Sequence, residues 1–170
     1  MKIACVEDEK VLIKETEKIS LKDFGKGGAT HAERQLDSCN IASTHAKGAI
    51  VKILGCGLCG SDLVKLRDKL AKNGTVLGHE IVGVIEEIDS DTDFKTGDKI
   101  VSSHHIPCGT CIYCKNENYS MCKHFKSTNI KPGGFSEYIF LSEEHLKNVA
   151  TIIPENLSEI EASFYEPLGC

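Results

Sequence analysis

Residues 107–122 read PCGTCIYCKNENYSMC, so that four cysteines fall within one short segment. Four thiolates suit a closed, tetrahedral zinc site, in which the Zn–S distances are about 2.3 Å. Such a site leaves no ligand position for a substrate, and its metal replaces the hydrophobic core that so small a lobe cannot build. Disulfides or inert buried thiols, and an iron–sulfur cluster, are the alternatives. The spacing predicts a structural metal in a lobe at 104–125, with the ligands Cys108, Cys111, Cys114 and Cys122.

The rest of the chain favours a metal over disulfides. The sequence holds nine cysteines, an odd number that cannot pair completely, and its first residues, MKIACVEDEK, carry acids where a signal peptide would need an apolar run. We therefore expect a reducing, cytoplasmic location, where disulfides explain few thiols. The net charge of -5 offers no basic surface for nucleic acid, and no stretch approaches the roughly 20 apolar residues of a membrane span. The expected partner is a small molecule.

Outside the lobe, the hydrophobic pattern predicts a fold that is mainly β with short helices, in a single domain over 1–170. Short helices are expected after Ser61, interpreted as the cap residue, and over 157–167, where Pro167 would end the helix. Glycines inside apolar runs are typical of bends at barrel corners, so we predict a partly open β-barrel. Strands are expected at 2–6, 11–15, 49–57, 78–88, 98–103, 135–142 and 148–154.

Two features interrupt or limit this pattern. Residues 22–48 show neither a strand nor a helix period over any length, and we interpret them as an irregular insertion with a short helix near 32–36. No G-x-G-x-x-G sequence follows a predicted strand, so no dinucleotide-binding unit is expected within these 170 residues.

A second set of possible metal ligands is scattered along the chain: Cys59, His79, Glu80 and Glu166. Each is weak evidence alone, because a single histidine or carboxylate is more often a satisfied core or surface residue. The motifs that contain them change this balance, since together with the lobe they resemble the zinc-dependent medium-chain alcohol and polyol dehydrogenases, most of all the sorbitol and iditol dehydrogenase branch. The motifs are GLCGSDL (57–63), LGHEIVGVIEEI (77–88), GDKI (97–100), PCGTCIYCKNENYSMC (107–122), PGGFSEYI (132–139) and EPLGC (166–170).

The resemblance implies a GroES-like catalytic domain whose Rossmann domain is absent, and it implies two zinc ions per chain. Cys59, His79 and Glu166 become the protein ligands of a catalytic zinc, while Glu80 lies at the metal, coordinating directly, through water or transiently. Ser61 becomes the proton relay from the substrate hydroxyl. Asp62 becomes a group that orients a ligand. Cys56 is then a bystander, although Cys56 and Cys59 spell a C-x-x-C that resembles a redox pair.

The implied reaction is hydride transfer between a secondary alcohol of a polyol or sugar-like substrate and NAD or NADP, whose site would lie in the absent domain. Zinc would serve as a Lewis acid that lowers the pKa of a bound hydroxyl. The chain alone is expected to hold zinc without catalysing this transfer, and a homo-oligomer is possible. Alternatives are a threonine-type substrate and a non-catalytic zinc-binding module. Metal-dependent hydrolysis is disfavoured because no H-E-x-x-H motif is present.

Several residues depart from the family pattern or receive no role. Many members have a histidine three residues after the relay serine, where this chain has Val64. We expect His104 and His105 to be structural, because neighbouring strand residues point to opposite faces. Residues expected to be surface histidines are His31, His45, His124 and His145, and those expected to be spare or buried thiols are Cys5, Cys39 and Cys170.

Overall fold

A computed structural model describes residues 1–24 and 47–169. Within these ranges the strands form a two-stranded hairpin and a five-stranded antiparallel sheet, with no closed barrel, so the prediction of a mainly β, partly open fold with short helices is confirmed. The strands are β1 Lys2–Glu7, β2 Lys10–Glu15, β3 Gly48–Gly57, β4 Glu80–Asp89, β5 Lys99–Ser102, β6 Tyr138–Ser142 and β7 Ala150–Ile152.

Short helices connect the strands. None of those in the described part of the chain is long and apolar enough to cross a membrane. The α-helices are α1 Gly60–Arg67, α2 Ile112–Lys115, α3 Lys123–Ser127, α4 Glu143–Asn148, α5 Glu159–Ala162 and α6 Tyr165–Leu168, and single 3₁₀ turns occupy Leu21–Phe24 and Tyr119–Met121.

The large sheet has the order β6-β3-β4-β5-β7, and its two long central strands carry most of the core. Pairing of β3 with β4 shifts register between Ile50 and Val51 and again between Ile53 and Gly55. At Gly83 of β4 a side chain would meet Val51 Cγ1 at 2.4 Å, which explains why the strands can approach so closely there. The main buried cluster is Ala49, Val51, Ile81, Ile85, Ile100, Ile130, Ile139, Leu141 and Leu146.

Each strand segment predicted from the sequence contains a strand, but two helix predictions were wrong in detail. Helix α1 begins at Gly60 with Cys59 as its N-cap, not with Ser61. Residues 157–167 form two short helices rather than one. Pro167 lies inside α6 because the first turn of a helix does not need its N–H groups.

Several sequence predictions lie outside the described residues. They are the short helix near 32–36, most of the 22–48 insertion, His31, His45, Cys39 and Cys170.

Candidate metal centres

The cysteine lobe brings four sulfur atoms together. The Sγ atoms of Cys108, Cys111, Cys114 and Cys122 all lie within 4.8 Å of one another. Cys114 Sγ is 3.9 Å from that of Cys108 and 3.5 Å from that of Cys111. The edge of a tetrahedron with corners about 2.3 Å from its centre is roughly 3.8 Å, so the spacing fits four thiolates around one zinc ion.

The cysteines of the described ranges are free thiols, which disagrees with the disulfide alternative. Within the lobe, hydrogen bonds from the hydroxyl and backbone of Thr110 lower the pKa of the Cys108 thiol. Burial raises the pKa of Cys114, whose side chain is enclosed between its neighbours. Because four thiolates this close together would repel one another, we expect a cation among them to be needed to keep all four ionised at neutral pH.

A second group of possible ligands lies where β3 and β4 begin to separate. One ligand atom each from Cys59, His79 and Glu80 lies within 4.8 Å of the others. The sheet register produces this meeting, because Gly57 pairs with Glu80 and the chain then turns into α1 at Cys59. The Cys59 sulfur accepts the backbone N–H of Ser61 at 3.5 Å, so the start of α1 fixes the sulfur's position.

Asp62 supports this group from inside the protein. Its side chain is fully buried, and its carboxylate accepts the backbone N–H groups of Cys59 and Gly78, each at 3.3 Å. Oδ1 of Asp62 also lies 3.6 Å from Nδ1 of His79. Because Nδ1 faces this carboxylate, Nε2 is the ring nitrogen that remains for a metal, an arrangement frequent among zinc-binding histidines.

Glycines make room for the group, a role that the sequence did not reveal. A Cβ atom at Gly57 would lie 1.9 Å from Oε2 of Glu80, so the glycine leaves space for that carboxylate. A Cβ atom at Gly134 would lie 2.6 Å from Sγ of Cys56. Gly134 also donates its N–H to the carbonyl of Gly78 at 2.8 Å. Gly134 therefore lets its own segment pack closely between Cys56 of β3 and the turn that leads into His79.

The thiol of Cys56 is not suited to bind a metal. Burial is the main cause that raises the pKa of its thiol to about 12, and the nearby carboxylate of Asp62 adds to the effect. The thiol donates to the carbonyl of its neighbour Gly57 at 3.5 Å. A thiol that stays protonated is a poor nucleophile and a poor metal ligand, which agrees with its interpretation as a bystander to Cys59.

Glu166 lies beside the group of three rather than within it. Tyr165, its neighbour on α6, donates its hydroxyl to the carbonyl of Val149 at 3.3 Å and so fixes the helix against the sheet. Oε1 of Glu166 is 3.3 Å from Nδ1 of His104, and the His104 ring packs on the His79 ring with centroids 4.5 Å apart. An imidazole thus lies in contact with both Glu166 and His79.

The histidines 104 and 105 do not follow the alternation assumed from the sequence. Strand β5 ends at Ser102, and the two rings that follow it pack on one another with centroids 3.9 Å apart. Burial lowers the pKa of His104 to about 3, and His105 and His79 add to the effect. His104 therefore belongs to the surroundings of the candidate site, which the sequence argument missed because it applied the alternation of strand residues to two residues that follow the strand.

His145 was wrongly predicted to be a surface residue. It is 3% exposed, its Nε2 donates to the carbonyl of His104 at 3.2 Å, and its Nδ1 accepts the hydroxyl of Ser142 at 2.7 Å. His124 is half-buried and lies 2.7 Å from the carboxylate of Glu144. Cys5 is a buried thiol, as expected.

Known proteins similar to this chain include alcohol and polyol dehydrogenases. The family model described as "Alcohol dehydrogenase GroES-like domain" matches residues 45–151. The sorbitol dehydrogenase of Bacillus subtilis is 28% identical over 154 residues, which are 85% of this chain and 42% of that protein. The L-threonine 3-dehydrogenase of Bacillus velezensis is 29% identical over 89% of this chain and 43% of that protein.

Solved structures show the same relationship. The galactitol-1-phosphate dehydrogenase of Escherichia coli has a TM-score of 0.70 and 27% identity, and the match covers 99% of this chain and 42% of that one. This chain therefore spans less than half the length of the relatives that it matches.

Proposed function

Because the chain belongs to the alcohol dehydrogenase GroES-like domain family, within the zinc-dependent medium-chain alcohol and polyol dehydrogenases, we propose that it is the catalytic domain of such an enzyme. The proposed reaction is hydride transfer between a secondary alcohol and NAD or NADP. Its main support is the meeting of Cys59, His79 and Glu80 at a site separate from the four-cysteine lobe. A mixed donor set of this kind is typical of catalytic zinc, and a closed set of four sulfurs is typical of structural zinc.

The residues of the site would bind the metal ion or position its ligands. Cys59, His79 and Glu80 would hold the zinc ion, with Glu166 as a further carboxylate at its edge. The zinc ion would supply Lewis acidity toward a substrate hydroxyl. Asp62 would keep the His79 ring in the orientation that presents Nε2, and Gly57 would keep space for the Glu80 carboxylate.

Proton transfer would fall to Ser61. Ser61 is exposed, and its backbone N–H is bonded to the Cys59 sulfur, so the residue lies between the ligand group and solvent. A hydroxyl can accept a proton from the substrate and pass one on to water, which suits a relay. Val64, where many members have a histidine, implies that the path beyond Ser61 is short.

For the substrate we propose a polyol or sugar alcohol. The similarity to a sorbitol dehydrogenase and a galactitol-1-phosphate dehydrogenase supports this class, and the similarity to an L-threonine 3-dehydrogenase makes threonine the second candidate. The nicotinamide would be bound by residues beyond this chain, since the relatives are more than twice as long.

The experiment is metal analysis of the chain and of two matched variants of its C-x-x-C. We expect two zinc ions per wild-type chain, one in Cys59→Ala and two in Cys56→Ala. A count of one in the wild type that Cys59→Ala leaves unchanged would contradict the catalytic site and favour a non-catalytic zinc module. For the substrate, the same two variants should separate in sorbitol-dependent reduction of NAD when the chain is combined with a nucleotide-binding domain, with threonine as the comparison substrate.

A further inference from the structure

The imidazole of His104 lies next to the candidate catalytic site, and one of its ring nitrogens makes no hydrogen bond with the described residues. Its Nδ1 is sealed from solvent and has no hydrogen-bond partner among the described residues. Oε1 of Glu166 is 3.3 Å away, within ion-pair distance but not aligned for a hydrogen bond. Buried polar atoms without partners are rare in folded proteins, and each one calls for an explanation.

The position of His104 is fixed from several sides. Its ring packs between those of His79 and His105, with centroid distances of 4.5 Å and 3.9 Å. Its backbone carbonyl can only accept, so it receives the Nε2 proton of His145, and Nδ1 of that ring then accepts the hydroxyl of Ser142. A residue held this firmly can direct another side chain, because its own rotation is restricted.

Glu166 is the side chain within its reach. This carboxylate is nearly buried, with 9% of its side chain exposed, and the His104 ring beside it packs on the ring of His79, a member of the candidate metal group. Carboxylates that bind metals are themselves usually held by a hydrogen-bond donor. The Nδ1–H of His104 is suited to that role after a small rotation of either side chain.

We propose that His104 is a positioning residue that holds the Glu166 carboxylate toward the metal site, through a hydrogen bond from Nδ1 of the imidazole. This inference rests on the proposed function, since it requires a metal at Cys59. It assigns to His104 a role that depends entirely on Glu166. His104 itself binds no metal in this scheme.

The test measures Co²⁺ binding to the chain by competition with a coloured chelator, together with the absorption spectrum of the bound cobalt. We expect His104→Ala to lower the affinity of the Cys59 site by about 10- to 100-fold, the usual effect of removing a partner of a metal ligand, and to alter its spectrum. His104→Asn should restore much of the affinity, because an amide N–H can occupy nearly the place of Nδ1. The four-cysteine site should keep its affinity in both variants.

A double mutant separates positioning from other roles. If His104 acts through Glu166, then His104→Ala should cause no further loss when it is added to Glu166→Ala. Equal losses in both backgrounds would overturn the proposal, and so would an unchanged affinity in His104→Ala. The matched control is His124→Ala, which removes another histidine paired with a glutamate, at 2.7 Å from Glu144, and should leave the Cys59 site unchanged.

Failure of this inference can be told apart from failure of the proposed function. If Cys59→Ala removes one cobalt site while His104→Ala does not affect it, only the role of His104 is wrong. If the wild-type chain binds cobalt at the four-cysteine lobe alone, both the proposed function and this inference are contradicted.

Discussion

Oδ1 of Asp62 lies 3.6 Å from Nδ1 of His79, and the same oxygen accepts the backbone N–H of Gly78 at 3.3 Å. One buried carboxylate therefore fixes both the histidine ring and the backbone turn that presents it. Its other oxygen accepts the N–H of Cys59, so the start of α1 and the start of β4 are connected through a single side chain. This connection explains how Cys59 and His79, distant in sequence, place their ligand atoms within 4.8 Å of one another.

The first prediction concerns the charge of this carboxylate. We expect Asp62→Asn to lower the metal affinity of the Cys59 site by about 10- to 100-fold, because the amide keeps the size of the group but no longer supports the imidazole with a charge. Chelator competition measures the loss. Asp91→Asn, at an exposed carboxylate paired with Lys47, is the control and should bind metal as the wild type does. An unchanged affinity in Asp62→Asn would show that this contact is not needed for metal binding.

The second prediction uses two glycines of the same strand. A Cβ atom at Gly57 would lie 1.9 Å from Oε2 of Glu80, whereas one at Gly55 would meet nothing within 4 Å. Because the obstructed atom is the end of a flexible side chain, we expect Gly57→Ala to fold but to displace Glu80 and weaken the Cys59 site. Gly55→Ala should keep the wild-type affinity. Isothermal titration with zinc distinguishes them, and equal affinities would mean that Glu80 does not contribute to binding.

The strands and the lobe could be predicted because their signals are local. The apolar runs of β3 and β4, and the spacing of Cys108, Cys111 and Cys114, depend on residues close in sequence. The group at Cys59 was reached only through the family resemblance. Its geometry depends on the pairing of Gly57 with Glu80, which no local pattern encodes.

The errors have physical reasons of the same kind. Ser61 looked like the helix cap because serine is a common cap, but the sulfur of Cys59 accepts the N–H groups of the first turn. His145 was expected at the surface because no companion ligand stands at a useful spacing from it in the sequence, yet α4 turns its ring onto the carbonyl of His104. Both outcomes depend on contacts between elements, which outweigh the local preference of a residue.

The third prediction is a pH dependence caused by His145. Burial lowers the pKa of this imidazole below 6.5; the His104 carbonyl and Glu144 oppose the effect, while His105 and His124 add to it. Below pH 6.5 the unfolded chain therefore binds a proton that the folded chain does not. As the pH is lowered from 6.5, the free energy of unfolding decreases, and this decrease ends once the pH is below the pKa of His145 in the folded chain. Above pH 6.5 the residue is neutral in both states and contributes no pH dependence.

We expect urea denaturation to show a smaller loss of stability between pH 7 and pH 5 in His145→Gln than in the wild type. One proton changes the free energy of unfolding by at most about 1.4 kcal/mol per pH unit, which sets the scale of the difference. The amide of glutamine can still donate to the carbonyl of His104, so the variant is expected to fold. Identical slopes in the two proteins would show that His145 is not the group that titrates.

The last prediction concerns removal of the metal from the lobe. Cys114 and Cys122 are buried, at 6% and 0% exposure, although the helices around them have only three to five residues each and cannot form a core of their own. We therefore expect their burial to depend on a metal ion held by the four sulfurs. We expect a strong chelator to lower the melting temperature and to open the lobe, so that an alkylating reagent modifies its four cysteines, as counted by mass spectrometry. Cys5, which belongs to the hairpin strand β1 and is 2% exposed, should resist the reagent both before and after metal removal. If the lobe cysteines stay protected without metal, packing alone maintains the lobe and the ion is not structural. If Cys5 reacts together with them, the whole domain has unfolded, and the metal stabilises more than the lobe.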